Sequence, residues 1–169
     1  MKSLLILAAL TAANYLDSQP AYVPSQPIEF GRLPQRARVL LVEVVPLGSS
    51  REAVKYKISG LKTTSEDVLE GAFPDHRKSD SVRVTLAFKE DQLVCISYQS
   101  KPRNAFYHVA KLYLNQTFGK PYLKNPKTGG GIGWCAKGMG IEMGELMDST
   151  GVKTGWRFRM GCPDSASPP

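Results

Sequence analysis

An α+β domain is the fold class this sequence predicts: an antiparallel sheet of about six strands, arranged as three hairpins, with one main helix packed on it. Two observations point there. Short runs of aliphatic and aromatic residues alternate with polar ones on either side of polar turns, the period of half-buried strands. A single stretch, Asn104 to Gly119, instead carries Phe106, Val109, Leu112, Tyr113 and Thr117 at helical spacing. The 169 residues, 42% hydrophobic and 22% charged, fit one domain of ordinary globular composition.

The chain opens with Lys2, an apolar run from Leu4 to Leu10 and small residues through Ala13, the pattern of a secretion signal, expected over residues 1–21. The run is too short to span a bilayer, and no other stretch comes closer. Pro20, Pro24, Pro27 and Pro34 then punctuate a segment without helical periodicity, which predicts an extended linker over 22–35. The folded domain is expected over 36–162, followed by an unstructured tail over 163–169.

Within the domain, Arg36 to Leu47 is rich in Val and Leu and predicts a strand buried on both faces. Val54, Tyr56 and Ile58 alternate with Lys55 and Lys57, predicting a second strand paired back on the first. The stretch TTSEDVLEGAF predicts a short helix started at Thr64 or Ser65 and stopped by Gly71 and Pro74. Val82, Val84, Leu86 and Phe88, then Val94, Ile96 and Tyr98, predict a hairpin around a polar turn, with Cys95 on the opposite face beside Thr85 and Ala87. The main helix follows, with Asn104 as N-cap, Gly119 as its stop and Pro121 just beyond.

The last hairpin turns around Asp148 to Gly151 and gathers Met139, Ile141 and Met143 with Trp156, Phe158 and Met160 on one face. Both sets reach the core only if paired residue numbers sum to an odd value. A register sum of 297 brings Cys135 opposite Cys162 and a sum of 299 leaves them one diagonal apart, so a Cys135–Cys162 disulfide is expected. Such a bridge agrees with export, because disulfides persist outside the reducing cytosol. Cys95 is left as a buried apolar side chain or a free thiol.

The net charge of +7 is concentrated. Between Gln92 and Ile141 there is no Asp or Glu, while Lys101, Arg103, Lys111, Lys120, Lys124, Lys127 and Lys137 all fall there, so this sector holds the whole formal excess. It predicts a positive field that attracts an anionic partner: a phosphorylated lipid head group, an anionic glycan, nucleic acid, or the acidic face of another protein. An anionic envelope component or an acidic protein surface is favoured over nucleic acid. Gly138, Gly140 and Gly144 alternate on the last hairpin with Arg157 and Arg159 pointing the same way. Bare backbone beside two guanidinium groups suits an extended peptide or an anion; equally, the glycines let the hairpin twist.

Signatures of catalysis and cofactors are sparse. The run GGGIG at 129–133 lacks the Lys-Ser/Thr of a phosphate loop and follows a helix rather than opening one. His76 and His108 are the two histidines, and no Cys/His spacing resembles a zinc site, so no cofactor or metal is expected. The sequence therefore reads as an exported, periplasmic or secreted, non-catalytic binding or accessory protein working through residues 92–141. The alternative is a small secreted thiol-dependent or other hydrolase in which His108 activates Cys95.

Overall fold

The hairpin between Ser81 and Ser100 forms the centre of the fold in the computed structural model, which describes residues 27–74, 80–102, 105–123, 131–136 and 139–161. In chain order the strands are β1 (Ile28–Glu29), β2 (Ile58–Ser59), β3 (Lys62–Ser65), β4 (Val68–Pro74), β5 (Ser81–Lys89), β6 (Gln92–Ser100), β7 (Tyr122–Leu123), β8 (Ile132–Ala136), β9 (Met139–Met147) and β10 (Lys153–Met160). The helices are α1 (Gln35–Val39), α2 (Arg51–Lys57) and α3 (Phe106–Phe118), with 3-10 turns at Phe30–Arg32 and Leu41–Glu43. The described residues are thus α+β, as expected, with an eight-stranded antiparallel sheet ordered β3-β4-β5-β6-β10-β9-β8-β7 rather than one of about six strands.

Alternation sets the central ladder. Val82, Val84, Leu86 and Phe88 of β5 are buried, and across from them Leu93, Ile96 and Tyr98 of β6. The spacing from Leu93 to Ile96 is kept on one face by a bulge: Ala87 faces Cys95 and Phe88 faces Leu93, which leaves Val94 as the extra residue. Glu90 and Asp91 turn the hairpin with φ of 52° and 60°, the left-handed pair that a two-residue hairpin loop demands.

The helices lie on the core face of this sheet. Phe106, Ala110 and Leu114 of α3 are buried, and Gly119 ends the helix at φ 80°, where only glycine sits without strain. The Phe106 ring stacks on Tyr98 at 5.6 Å and meets Phe73 edge-on at 5.3 Å, while Tyr98 stacks on Phe158 at 4.7 Å. Tyr98 is 1% exposed, and its hydroxyl donates to the Val39 carbonyl at 3.2 Å, which ties α1 over the sheet. Burial pushes that phenol far above its ordinary pKa, so it stays neutral.

Three segments differ from their expected state. Residues 36–47 form α1 and a 3-10 turn instead of a strand; Val39, Leu40, Leu41, Val44 and Val45 are buried, and a run so dense in apolar residues carries too little period to separate helix from strand. Arg51–Lys57 is helical because Ser50 caps it, its Oγ accepting from the Ala53 amide at 3.2 Å. Val54 and Ile58, four apart, then point inward while Tyr56 is 71% exposed. The expected helix near Thr64 is instead the β3–β4 hairpin, in which Leu69 and Phe73 are buried.

The folded part also begins earlier than residue 36. Phe30 and Leu33 are 2% and 1% exposed, and β1 pairs in parallel with β2. The Arg38 guanidinium closes this N-terminal segment by donating to the carbonyls of Gly31 and Leu33 and lying over the Phe73 ring. The expected signal, the first part of the linker (22–26) and the tail lie outside the described residues.

The closing region holds the remaining correction. Residues 132–147 are not one strand: β8 and β9 form their own hairpin, with Trp134 opposite Ile141 and Cys135 opposite Gly140. β9 then pairs with β10, Met143 facing Phe158 and Ile141 facing Met160. The sum is odd, as expected, and all four residues are buried. Because β9 separates β8 from β10, Cys135 stands about 10 Å from β10, beyond bridging range. The expected Cys135–Cys162 disulfide is therefore not formed: Cys135 is a free, exposed thiol. Cys95, expected to be the odd one out, is the disulfide-bonded cysteine, and Cys162 lies outside the described residues.

Asp148 builds the β9–β10 turn. Its carboxylate accepts from the amides of Thr150 and Val152, both at 2.9 Å, and from the Thr150 hydroxyl at 2.6 Å. These bonds, that of the Thr150 hydroxyl foremost, hold its pKa below the usual carboxylate value. A depressed pKa stabilises the turn above the ordinary Asp range, and that contribution is lost as pH falls through the folded value. The amide chemical shifts of Thr150 and Val152 are expected to stay constant near neutral pH and to titrate together only below about pH 4. In Asp148→Ala the titration disappears; its persistence there would reject the assignment.

Candidate functional site

With the helices on one face, the other face of the sheet presents the alternate residue of every strand, and the ladders align these residues into rows. Ala72, Arg83, Gln99, Arg157 and Gly144 stand opposite one another across β4, β5, β6, β10 and β9. The adjacent row is Glu70, Thr85, Ser97, Arg159, Glu142 and Gly133. Tyr122 closes its far end, and its ring occupies the space a Cβ on Gly133 would need. Arg83 and Gln99 are exposed. Over Gly140 a Cβ would meet nothing within 4 Å.

The two arginines of β10 have different fates on this face. Arg159 donates to Glu142 at 2.9 Å, with the side chains only 12% and 21% exposed. The Arg157 guanidinium has no hydrogen bond or ion pair among the described residues. Partial burial and the neighbouring Arg159 cation lower its pKa, and Glu142 offsets this only in part. A guanidinium remains charged under such pressure, so Arg157 is a partly desolvated cation beside a second cation, the setting in which an incoming anion gains most. Arg83, two strands away, likewise has no ion-pair partner among the described residues.

The predicted basic sector is dispersed by the fold. Lys101, just past the end of β6, pairs with Asp80 at 2.8 Å, which raises its pKa. Lys111 is half-buried on α3 and Lys120 follows that helix, exposed, so both belong to the helical layer. Arg157 and Arg159 lie across the sheet from them. Arg103, Lys124, Lys127 and Lys137, with Gly138 and His76, lie outside the described residues. Of the predicted binding residues, the structure brings Arg157 and Arg159 together beside Gly144 and Gly140, as expected, and adds Arg83, which sequence reasoning missed. Arg83 alternates with Val82 and Val84 and so was assignable to the outer face. What the sequence lacked was the insertion of β10 beside β6, which puts Arg83 in register with Arg157.

The thiol-dependent alternative loses its nucleophile. Cys95 is on the outer face opposite Ala87 and is held in a disulfide, so it supplies no thiolate. His108 is exposed on α3, in the opposite layer, with its ring edge-on to Tyr107. No group of three His, Cys, Asp or Glu among the described residues is arranged to hold a metal ion.

The aromatic residues at the β10 end form a clamp rather than an open platform. Trp156 stacks on Tyr107 with ring centroids 3.6 Å apart, and the Lys153 ammonium lies 3.3 Å from the ring centroid of the same indole. Lys153 is fixed by Glu145 at 3.0 Å, and the indole N–H donates to the Pro102 carbonyl at 3.2 Å. Burial first, and then the Glu145 charge, raises the Tyr107 pKa. With both ring partners in place, Trp156 fastens the start of α3 to β10 and is not free to stack on a ligand. Among the described residues no helix is long and apolar enough to cross a membrane. In comparisons with known proteins, no family model, curated protein or solved structure matched the chain.

Proposed function

We propose that this chain is an exported, non-catalytic binding protein that engages an anionic partner through the outer face of its sheet. The observation carrying this reading is Arg157, a half-buried cation with no ion-pair partner among the described residues, in register with the exposed Arg83 across Gln99. A partly desolvated guanidinium in register with an exposed one favours carboxylate, sulfate or phosphate, which guanidinium groups bind through paired N–H donors. The disulfide at Cys95 supports the exported setting suggested by the signal-like N-terminus. The basic sector between Gln92 and Ile141 contributes a long-range field that draws the partner in, while the sheet face supplies the contacts.

Titration calorimetry of the purified chain against a panel of polyanions tests this. Saturable binding is expected, weakening with ionic strength and falling about ten-fold in Arg157→Gln, whereas Lys111→Gln with Lys120→Gln changes chiefly the salt dependence. Binding that survives in Arg157→Gln but vanishes in the lysine variant would move the site to the helical layer and overturn the assignment. Absence of saturable binding to every polyanion would overturn the reading itself.

A further inference from the structure

The chemistry of the outer face narrows the anion to a class. Arg83, Gln99 and Arg157 follow one another across three adjacent strands, so the two arginine Cα atoms are about 10 Å apart, two inter-strand spacings. The row beside them offers Thr85 and Ser97, hydroxyl groups that both donate and accept. From β5 to β10 these rows contain no large apolar side chain. Beyond them Gly144 and Gly140 keep the surface low, and the one large aromatic residue on this part of the face, Tyr122, stands at the far edge, 50% exposed.

A membrane surface calls for apolar side chains that enter the head-group boundary beside the cations. Single-stranded nucleic acid calls for aromatic platforms between them. The stretch from Arg83 to Arg157 has neither. What it has is two forked cations at a fixed interval, separated by an amide and flanked by hydroxyls: donors and acceptors for ring hydroxyl groups, with a carboxylate or sulfate at each end. A linear polysaccharide with one acidic group in each disaccharide repeats its charge at a comparable interval.

We propose that the row Arg83–Gln99–Arg157 is a subsite for a linear acidic carbohydrate, lying across the strands with anionic groups of alternate sugars on the two arginines and its hydroxyls on Gln99, Ser97 and Thr85. The proposal rests on the outer face being the anion-binding surface, and it names the ligand class for that surface. Binding involves no bond making or breaking. Specificity comes from the charge interval, because a neutral glycan leaves both guanidinium groups unpaired.

The test is calorimetry of the full chain with short oligogalacturonates, the same oligosaccharides after carboxyl reduction, single-stranded DNA and anionic phospholipid vesicles, in wild type, Arg83→Gln, Arg157→Gln and Gln99→Ala. Circular dichroism melts check that each variant is folded. The expected result is saturable binding of oligogalacturonate, weakened about ten-fold by either arginine change and more by both, with no measurable binding of the reduced sugar. Binding to DNA or vesicles that depends on the arginines, with none to the uronate, overturns the carbohydrate assignment and leaves the anion-binding face standing. Uronate binding that is indifferent to both arginines overturns the subsite. No arginine-dependent binding to any of the anions overturns both.

Discussion

Phe30→Ala is expected to destabilise the protein by about 3–5 kcal/mol, the cost of truncating a buried phenylalanine. The ring is 2% exposed and packs on Phe73 at 5.8 Å. Its seat depends on Gly71, where a Cβ would come within 2.9 Å of two Phe30 ring carbons. Removing the ring leaves that space unfilled beneath a sheet whose neighbouring ladders hold it in place, so little collapse is available to relieve the loss. The reverse change, Gly71→Ala, forces the ring off its seat and is expected to be costly for the opposite reason, overpacking. Urea titration checks both: the midpoint falls while the slope stays unchanged. Tyr56→Ala, at a 71% exposed position, serves as the control and is expected to move stability by less than about 0.5 kcal/mol. If residues up to 35 were an extended linker, Phe30→Ala would behave like Tyr56→Ala, and that outcome would reject the packing described for the N-terminal segment.

The comparison of Phe30 with the β5–β6 hairpin shows where the sequence was legible. Val82 to Phe88, the presence of α3 and the core face of the last hairpin were readable because their period is carried by consecutive residues, although α3 buries Ala110 and Leu114 with Phe106 and leaves Leu112 and Thr117 exposed, unlike the expected face. Phe30 was not, because four prolines nearby argue for an extended linker and the partner that buries it, Gly71, is a glycine with no side chain to mark the contact. Residues 36–47 failed for a related reason: Val39, Leu40, Leu41, Val44 and Val45 are all buried, an apolar density that leaves too little period to separate helix from strand. At β8–β9 the missing information was a turn. Reading 132–147 as continuous preserved its alternation and still placed Cys135 one strand too close to β10. For the candidate site, Arg157 and Arg159 were visible as an alternating pair, while the row with Arg83 depends on β10 lying between β6 and β9, a long-range pairing that local pattern does not encode.

Cys95→Ser is expected to lower stability by ~4 kcal/mol under oxidising conditions, the chain-entropy value for a cross-link closing a loop of several tens of residues, and to lower the melting midpoint by roughly 10 °C. Cys135→Ser should change neither, since that thiol is free and exposed. The β6–β10 ladder runs to Ile96 opposite Met160, and Gly161 then approaches the Val94 carbonyl, so the C-terminal end of β10 arrives beside Cys95. With Cys135 free, the remaining cysteine of the sequence is Cys162, and non-reducing peptide mapping is expected to recover Cys95 linked to it and Cys135 alkylated. A cross-linked peptide containing Cys135, or a Cys135→Ser variant as unstable as Cys95→Ser, would sink this pairing. The consequence reaches the candidate site. Gln99 is on β6 and Arg157 on β10, so if mapping recovers the Cys95–Cys162 link, that link ties β6 to the chain just beyond β10 and helps hold the spacing of Gln99 and Arg157. Reduction is therefore expected to weaken anion binding at temperatures where the protein is still folded, and to do so without altering the charge of any residue that contacts the ligand.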